Sequence, residues 1–124
     1  MRAQLLLAGL SGLSAVAIGA FAAHGVEDPQ VKDWIRTGLQ YQLPHAAAVF
    51  ACFTLVRAGA GRPAHVASWL FLGGTLFFSG SLYMLAATGV RAWGAVTPIG
   101  GVLLMAGWAA LAWAGLKADM KTGG

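Results

Sequence analysis

Long apolar segments without formal charge restrict this chain to architectures that a lipid bilayer allows. The first segment follows a lone Arg2 and runs from Ala3 to Ala23, and the longest lies between Ala64 and Val90. A helix of about 20 residues, rising about 1.5 Å per residue, crosses a hydrocarbon core of roughly 30 Å. Only 10% of the residues are charged and 58% are hydrophobic, whereas about a quarter of the residues in soluble domains are charged. The sequence therefore predicts an integral membrane protein.

The spacing of these segments predicts an all-α membrane protein, an antiparallel four-transmembrane-helix bundle that forms a single domain over residues 1–124. Turns rich in glycine, proline and arginine separate the later segments. A short amphipathic interfacial helix is expected before the second span. The predicted spans cover residues 3–23, 38–57, 65–89 and 94–116, and the predicted interfacial helix covers residues 28–37.

The first segment has a second interpretation, because Ala20-Phe21-Ala22 has the small-x-small form of a signal-peptide cleavage site. We favour a retained helix. Ser11, Ala15 and Gly19 recur every four residues, which places small side chains on one helix face where a neighbouring helix can pack.

The second span is the most polar of the four. Only about 13 residues separate Pro44 from Arg57, too few to cross the bilayer, so part of the preceding run 37–45 must also lie at membrane depth. Asp28 before Pro29 has the form of a helix N-cap followed by a first-turn proline, which predicts the start of the interfacial helix. Pro44 cannot donate to the carbonyl of Gln40, so a kink or break is expected there.

Positive charges predict the orientation. Four spans place both termini on one side of the membrane, together with the loop between the second and third spans. That side holds five basic residues and the other holds three; the five are Arg2, Arg57, Arg62, Lys117 and Lys121, and the three are Lys32, Arg36 and Arg91. The positive-inside rule then places both termini in the cytoplasm.

The same topology brings polar residues of several spans to the side opposite the termini. Thr75, Ser79 and Tyr83 share a face of the third span at four-residue spacing. Polar groups in lipid turn towards a bundle interior or a wet cavity, so a polar cluster is expected in the outer half of the bundle. The candidate binding residues are His24, Gln40, Tyr41, Gln42, His45 and Tyr83.

Several motifs, in order and with compatible spacing along essentially the whole chain, resemble the YgdD-like family of small membrane proteins. They are Gly19-Ala-Phe-Ala-Ala-His24-Gly25, Trp34-Ile-Arg-Thr-Gly38-Leu-Gln40-Tyr41-Gln42, His45-Ala, Gly80-Ser-Leu-Tyr83-Met-Leu-Ala-Ala-Thr-Gly89, Thr97-Pro98-Ile-Gly-Gly101 and Gly107-Trp108. One small departure is Ala22, where a glycine is commoner. That family has a mitochondrial transmembrane relative in animals. The resemblance implies four helices in a bacterial inner membrane. It brings no activity, because that family has no settled one.

Three interpretations of the polar cluster remain open. In the first, the cluster is structural and the polar groups satisfy one another, which fixes how the helices pack. In the second, His24 and His45 hold a haem iron between them, or one of them binds a quinone together with Tyr41 or Tyr83. In the third, the protein is a homo-oligomer or a small subunit of a larger membrane complex, and its tryptophans contact partners or lipid.

The sequence predicts a non-enzymatic protein, and the expected partner is the lipid bilayer. A hydrolase would need Ser79 or Ser81 to pair with His45, and no motif supports that pairing. The single Cys52 and the absence of paired histidines predict no metal site. No basic patch interleaved with exposed aromatic residues is present, so nucleic acid is not an expected partner.

Overall fold

Helices joined by short turns make up the computed structural model, which describes residues 1–122 and the side chains as far as Ala118. No strand occurs in these described residues. The side chain of Lys121, which the charge count includes, lies outside them. The elements are α1 (Arg2–Gly25), α2 (Pro29–Arg57), α3 (Arg62–Thr88), a short 3-10 helix (Arg91–Ala95) and α4 (Thr97–Thr122).

Three segments of the described chain are long and apolar enough to cross a membrane. They are α1, α3 and the stretch Arg91–Ala118, which joins the 3-10 helix to most of α4. The helix α2 is not among them, because its first half contains the charged and polar residues that precede Pro44. The all-helical class and the membrane character of the predicted fold are therefore confirmed.

The helix α2 joins the predicted interfacial helix, 28–37, and the predicted second span, 38–57, into one helix. It begins at Pro29 and continues without interruption to Arg57, with Pro44 in its interior. Its start is as predicted: Asp28 accepts hydrogen bonds from the backbone nitrogens of Gln30 and Val31 at 2.8 and 3.5 Å. Of the kink or break predicted at Pro44, a break does not occur. A proline removes one donor only, and packing against neighbouring helices can hold the remaining turns of such a helix in place.

The helices α2 and α3 form the centre of the molecule, with α1 packed mainly on α2 and α4 packed mainly on α3. The helices α3 and α4 pack antiparallel to each other. Ser81 near the end of α3 meets Thr97 at the start of α4, whereas Ala64 at the start of α3 clusters with Ala114. Within the described residues, α1 and α4 share no packing contact, so the helices do not close into a ring.

Close approach of α3 and α4 depends on small residues. A methyl group added at Gly100 would overlap the backbone nitrogen of Phe78, and one added at Gly107 would lie 2.8 Å from the ring of Phe71. The core beside this interface is fully buried around Val49, Cys52 and Phe71. Packing of this kind, with backbones drawn together over glycine, is typical of helices in lipid.

Candidate functional site

Gln42 joins three helices through its side-chain amide. Its Nε2 donates to the backbone carbonyl of Ser11 at 2.8 Å and to the Ser14 hydroxyl at 2.9 Å, both on α1. Its Oε1 accepts a hydrogen bond of 2.6 Å from the Tyr83 hydroxyl on α3. The Gln42 side chain is only 5% exposed. A buried amide needs such partners, because an unpaired one costs about 1–3 kcal/mol.

One turn earlier on α2, Gly38 forms a second contact between α2 and α3. The Ser79 hydroxyl donates to the Gly38 carbonyl at 2.7 Å. A methyl group at Gly38 would lie 2.5 Å from Cε1 of the Tyr83 ring, so the glycine leaves the space that the ring occupies. Gly38 therefore allows Tyr83 to reach Gln42.

His45 joins α2 to α4. Its Nδ1 lies 2.5 Å from the backbone carbonyl oxygen of Tyr41, and its Nε2 lies 2.9 Å from the indole nitrogen of Trp108. An indole N–H can only donate and a carbonyl can only accept. His45 is therefore neutral, with its proton on Nδ1 and its Nε2 accepting from Trp108. Both ring nitrogens of this buried histidine are in use within the protein.

A third polar contact lies where α3 meets the start of α4. The hydroxyls of Ser81 and Thr97 are 2.5 Å apart, and Ser81 also donates to the Phe78 carbonyl at 2.9 Å. The hydroxyl of Ser79 is directed to Gly38 instead, so neither serine is hydrogen-bonded to His45. The pairing that a hydrolase would need is absent from these contacts.

The structure divides the six candidate residues into two groups. Gln42 and His45 are buried and Tyr83 is half-buried, and of these three side chains only those of Gln42 and Tyr83 are hydrogen-bonded to each other. His24, Gln40 and Tyr41 are exposed on the outside of the helices. The ring of Tyr41 packs against Phe78, with centroids 4.3 Å apart, and lies parallel to the ring of His45 at 6.3 Å. Its backbone carbonyl is the partner of His45 Nδ1.

The two histidines of the haem hypothesis lie at different levels of the fold. Ser11 is level with Gln42, and Gly19 is level with Leu39. His24 lies 13 residues beyond Ser11 on α1, or roughly 20 Å along the helix, and His45 lies beyond Gln42 in the opposite direction. The two side chains therefore do not face one iron between them in this arrangement.

Sequence reasoning missed three of the partners. The spacing places Ser11 on the packing face of the first helix but predicts no polar partner for it; it predicts no role for Ser14, and it predicts a lipid or partner contact for Trp108. A three-residue spacing of hydroxyls in an otherwise apolar helix is the feature that could have identified Ser11 and Ser14. Trp108 lies deep in its helix, away from both ends, and an indole N–H at that depth needs an acceptor within the protein. This depth is the only sequence feature that indicates a polar partner for Trp108.

A groove runs between α1 and α3, because these two helices touch only weakly and α2 lies behind them. Its volume is about 480 Å³. Its lining includes apolar side chains such as Leu7, Ile18 and Leu76, together with hydroxyl groups and Gln42. One of these hydroxyls, that of Thr75, is the only buried side-chain polar atom without a hydrogen-bond partner among the described residues.

Comparison with known proteins gives a consistent result. Residues 18–101 match the family described as "Protein of unknown function (DUF423)". A UPF0382 membrane protein of Haemophilus influenzae is 44% identical over 119 residues, covering 91% of this chain and 93% of the relative. The UPF0382 inner membrane protein YgdD of Escherichia coli K12 is 40% identical, covering 87% of this chain and 85% of the relative. The UPF0382 membrane protein YwdK of Bacillus subtilis 168 is 37% identical, covering 94% and 98%. No solved structure matches.

Proposed function

Since this chain belongs to the DUF423 family, whose function is unknown, we propose a structural or accessory role in the inner membrane rather than an enzymatic one. The location follows from the relative named as an inner membrane protein and from the three apolar segments of this chain. The role follows from how the buried polar groups are used.

The fold is best interpreted as an antiparallel bundle of four spans. The helix α2 packs beside both α1 and α3. Against α3 it extends from Gly38, near Ser79, to Leu55 and Val56, which pack on the cluster around Ala64. If α1 and α3 cross the bilayer, α2 lies in it as well. Its 29 residues reach about 43 Å, longer than a hydrocarbon core of roughly 30 Å. The excess fits the charged first turns of α2, which would lie at the interface.

One observation carries the structural role: the Gln42 side chain has partners on α1 and α3 that occupy both ends of its amide. His45 is likewise occupied at both nitrogens. Groups that bind a ligand or perform acid–base chemistry need a free donor, acceptor or lone pair. These two residues instead fix the positions of four helices relative to one another. Interhelical hydrogen bonds in membranes contribute about 0.6 to 2 kcal/mol each, so several together can select one arrangement.

The test is a double-mutant cycle on Gln42→Leu and Tyr83→Phe. We expect each single variant to reduce the free energy of unfolding, measured by SDS titration, by about 1–3 kcal/mol, because each leaves a polar group unpaired. The double variant should lose less than the sum, with a coupling of about 0.5–2 kcal/mol. Gln40→Leu is the matched control: this glutamine lies two residues away on the same helix and is exposed, so its replacement should not reduce stability.

A Gln42→Leu variant that unfolds like the wild type but loses a deletion-complementing phenotype would contradict the structural role. That result would mean that Gln42 acts on something outside the chain.

An accessory role within a larger complex, or as a homo-oligomer, is supported by three tryptophans that are about half-exposed. Trp69, Trp108 and Trp113 are 50%, 48% and 57% exposed on α3 and α4. Native mass spectrometry after gentle extraction from the protein's own membranes tests this. A defined larger assembly would identify the partner, and recovery of the single chain alone would contradict a stable complex.

A further inference from the structure

The groove between α1 and α3 has features that the structural role does not use. Apolar side chains form its walls, whereas Ser11, Ser14 and Gln42 place polar groups along its length. Its volume of about 480 Å³ falls in the range of about 300–1,000 Å³ that small-molecule sites have.

The polar part of the groove lies at the middle of the span. Ser14 is 12 residues from Arg2 and 11 from Gly25, the two ends of α1, or roughly 17 Å from each end. Phospholipid ester and headgroup oxygens stay near the bilayer surface, so the polar atoms of a lipid do not reach this depth. Only an uncharged, mostly apolar molecule could bring a polar group there.

Two hydroxyl protons in this lining lack an acceptor within the protein. Thr75 is 8% exposed and its hydroxyl oxygen has no partner. The Ser11 hydroxyl accepts from Gln42 at 3.2 Å, and the structure gives its own proton no acceptor. By contrast, the protons of Ser14, Ser79 and Tyr83 are directed at protein oxygens. Ser11 therefore offers a free donor to the groove, and the buried Thr75 hydroxyl becomes a second one when its side chain rotates. The complement of these donors is a molecule that carries acceptors.

We propose that the groove binds a membrane-dissolved quinone, whose ring carbonyl accepts from Ser11, or from Thr75 once its side chain rotates towards the groove, and whose apolar tail lies between α1 and α3. A quinone is uncharged, so it can enter the bilayer interior. Its carbonyl oxygens only accept, which matches the free donors. This site is separate from His24 and His45, and binding there requires no change in the contacts of Gln42.

The experiment is a titration of the protein in nanodiscs with decylubiquinone, followed by quenching of tryptophan fluorescence. Trp69 lines the groove and reports on the bound ring. Gly73→Leu fills the groove, and a methyl group at Gly73 meets no atom within 4 Å, so the variant should fold. Gly115→Leu is the matched control on α4, where a methyl group also meets nothing within 4 Å and no groove is lined.

We expect saturable quenching for the wild type and for Gly115→Leu, and at least a ~10-fold weaker affinity for Gly73→Leu. Thr75→Val keeps the shape of the side chain and removes no protein hydrogen bond. It should weaken binding by about 2- to 10-fold, the effect of one hydrogen bond. A thermal unfolding midpoint no lower than that of the wild type, in both variants, shows that the loss is one of binding.

Three results would overturn the proposal. One is quenching that rises linearly with quinone, as partition into lipid alone would give. Another is equal affinity for Gly73→Leu and Gly115→Leu. A third is displacement of decylubiquinone by decylbenzene, which has no carbonyl, at concentrations equal to that of the quinone; the groove would then hold hydrocarbon chains only.

Discussion

At the scale of the residue, His45 has a protonation state set by its neighbours. Trp108 must donate to Nε2 and the Tyr41 carbonyl must accept from Nδ1, so the neutral ring carries its proton on Nδ1. An imidazolium could not accept from Trp108. We therefore expect the ¹⁵N NMR spectrum of histidine-labelled protein to show one residue in the Nδ1–H tautomer, assigned to His45 by its loss in His45→Gln.

Removing the donor gives a stability prediction at the same contact. Trp108→Phe keeps an aromatic ring beside Phe71 but leaves Nε2 of a buried histidine unpaired. The free energy of unfolding should fall by about 1–3 kcal/mol. Trp113→Phe is the control, because Trp113 is 57% exposed and its loss removes no such bond. Equal effects of the two substitutions would show that the indole N–H contributes nothing to stability.

At the scale of the helix, the closest packing is that of α3 on α4 at Gly100. A methyl group there would overlap the backbone of Phe78, which cannot move as a flexible side-chain end can. Gly100→Ala should therefore lower the free energy of unfolding by about 1–3 kcal/mol or more, the usual cost of overpacking. The thermal unfolding midpoint in detergent measures this.

The control for Gly100→Ala lies on the same helix. Gly115→Ala introduces the same methyl group where no atom lies within 4 Å, and alanine favours a helix interior by up to about 1 kcal/mol over glycine. Its midpoint should be unchanged or higher. A Gly100→Ala variant as stable as Gly115→Ala would mean that α3 and α4 separate without cost.

The sequence predicts where these helices begin and end better than it predicts which of their faces are buried. Glycine, proline and charge bound the predicted spans: the first, 3–23, falls within α1 (Arg2–Gly25), and the third, 65–89, overlaps α3 (Arg62–Thr88). The buried face of each helix is harder to predict, because lipid is as apolar as a protein core and hydrophobic side chains occur all around a membrane helix.

The second helix illustrates that limit. Its buried face follows the three-to-four spacing Gly38, Gln42, His45, Val49 and Cys52. Gln40 is two residues from Gln42, about 200° around the helix, so the two could not share a face. Residues 40–45 lie at similar membrane depth, but grouping them on that ground combines side chains from opposite faces of the helix. Following the three-to-four spacing from His45 in both directions would have placed Gln42 on the buried face and left Gln40 off it. The partners on α1 and α4 could not be found in this way, since they depend on how neighbouring helices are rotated.

At the scale of the whole molecule, the number of spans and their orientation make one prediction. If all four helices cross, the turns before α2 and after α3 share one side of the membrane, and the turn between α2 and α3 lies on the other. Cysteine labelling tests this in a Cys52→Ala background, because Cys52 is the only cysteine and is fully buried. Single cysteines are then introduced by Glu27→Cys, Ala58→Cys and Val90→Cys.

With the basic turn at Arg57 and Arg62 in the cytoplasm, an impermeant maleimide added to spheroplasts should modify the variants at Glu27 and Val90. The variant at Ala58 should react only after the membrane is permeabilised. The inverse pattern would keep four spans and contradict the orientation. Labelling of Glu27→Cys and Ala58→Cys from the same side would instead show that α2 does not cross. Its contacts with α1 and α3 would then have to form outside the bilayer, where the apolar surfaces of those helices would face water at a cost of about 25 cal/mol per Å².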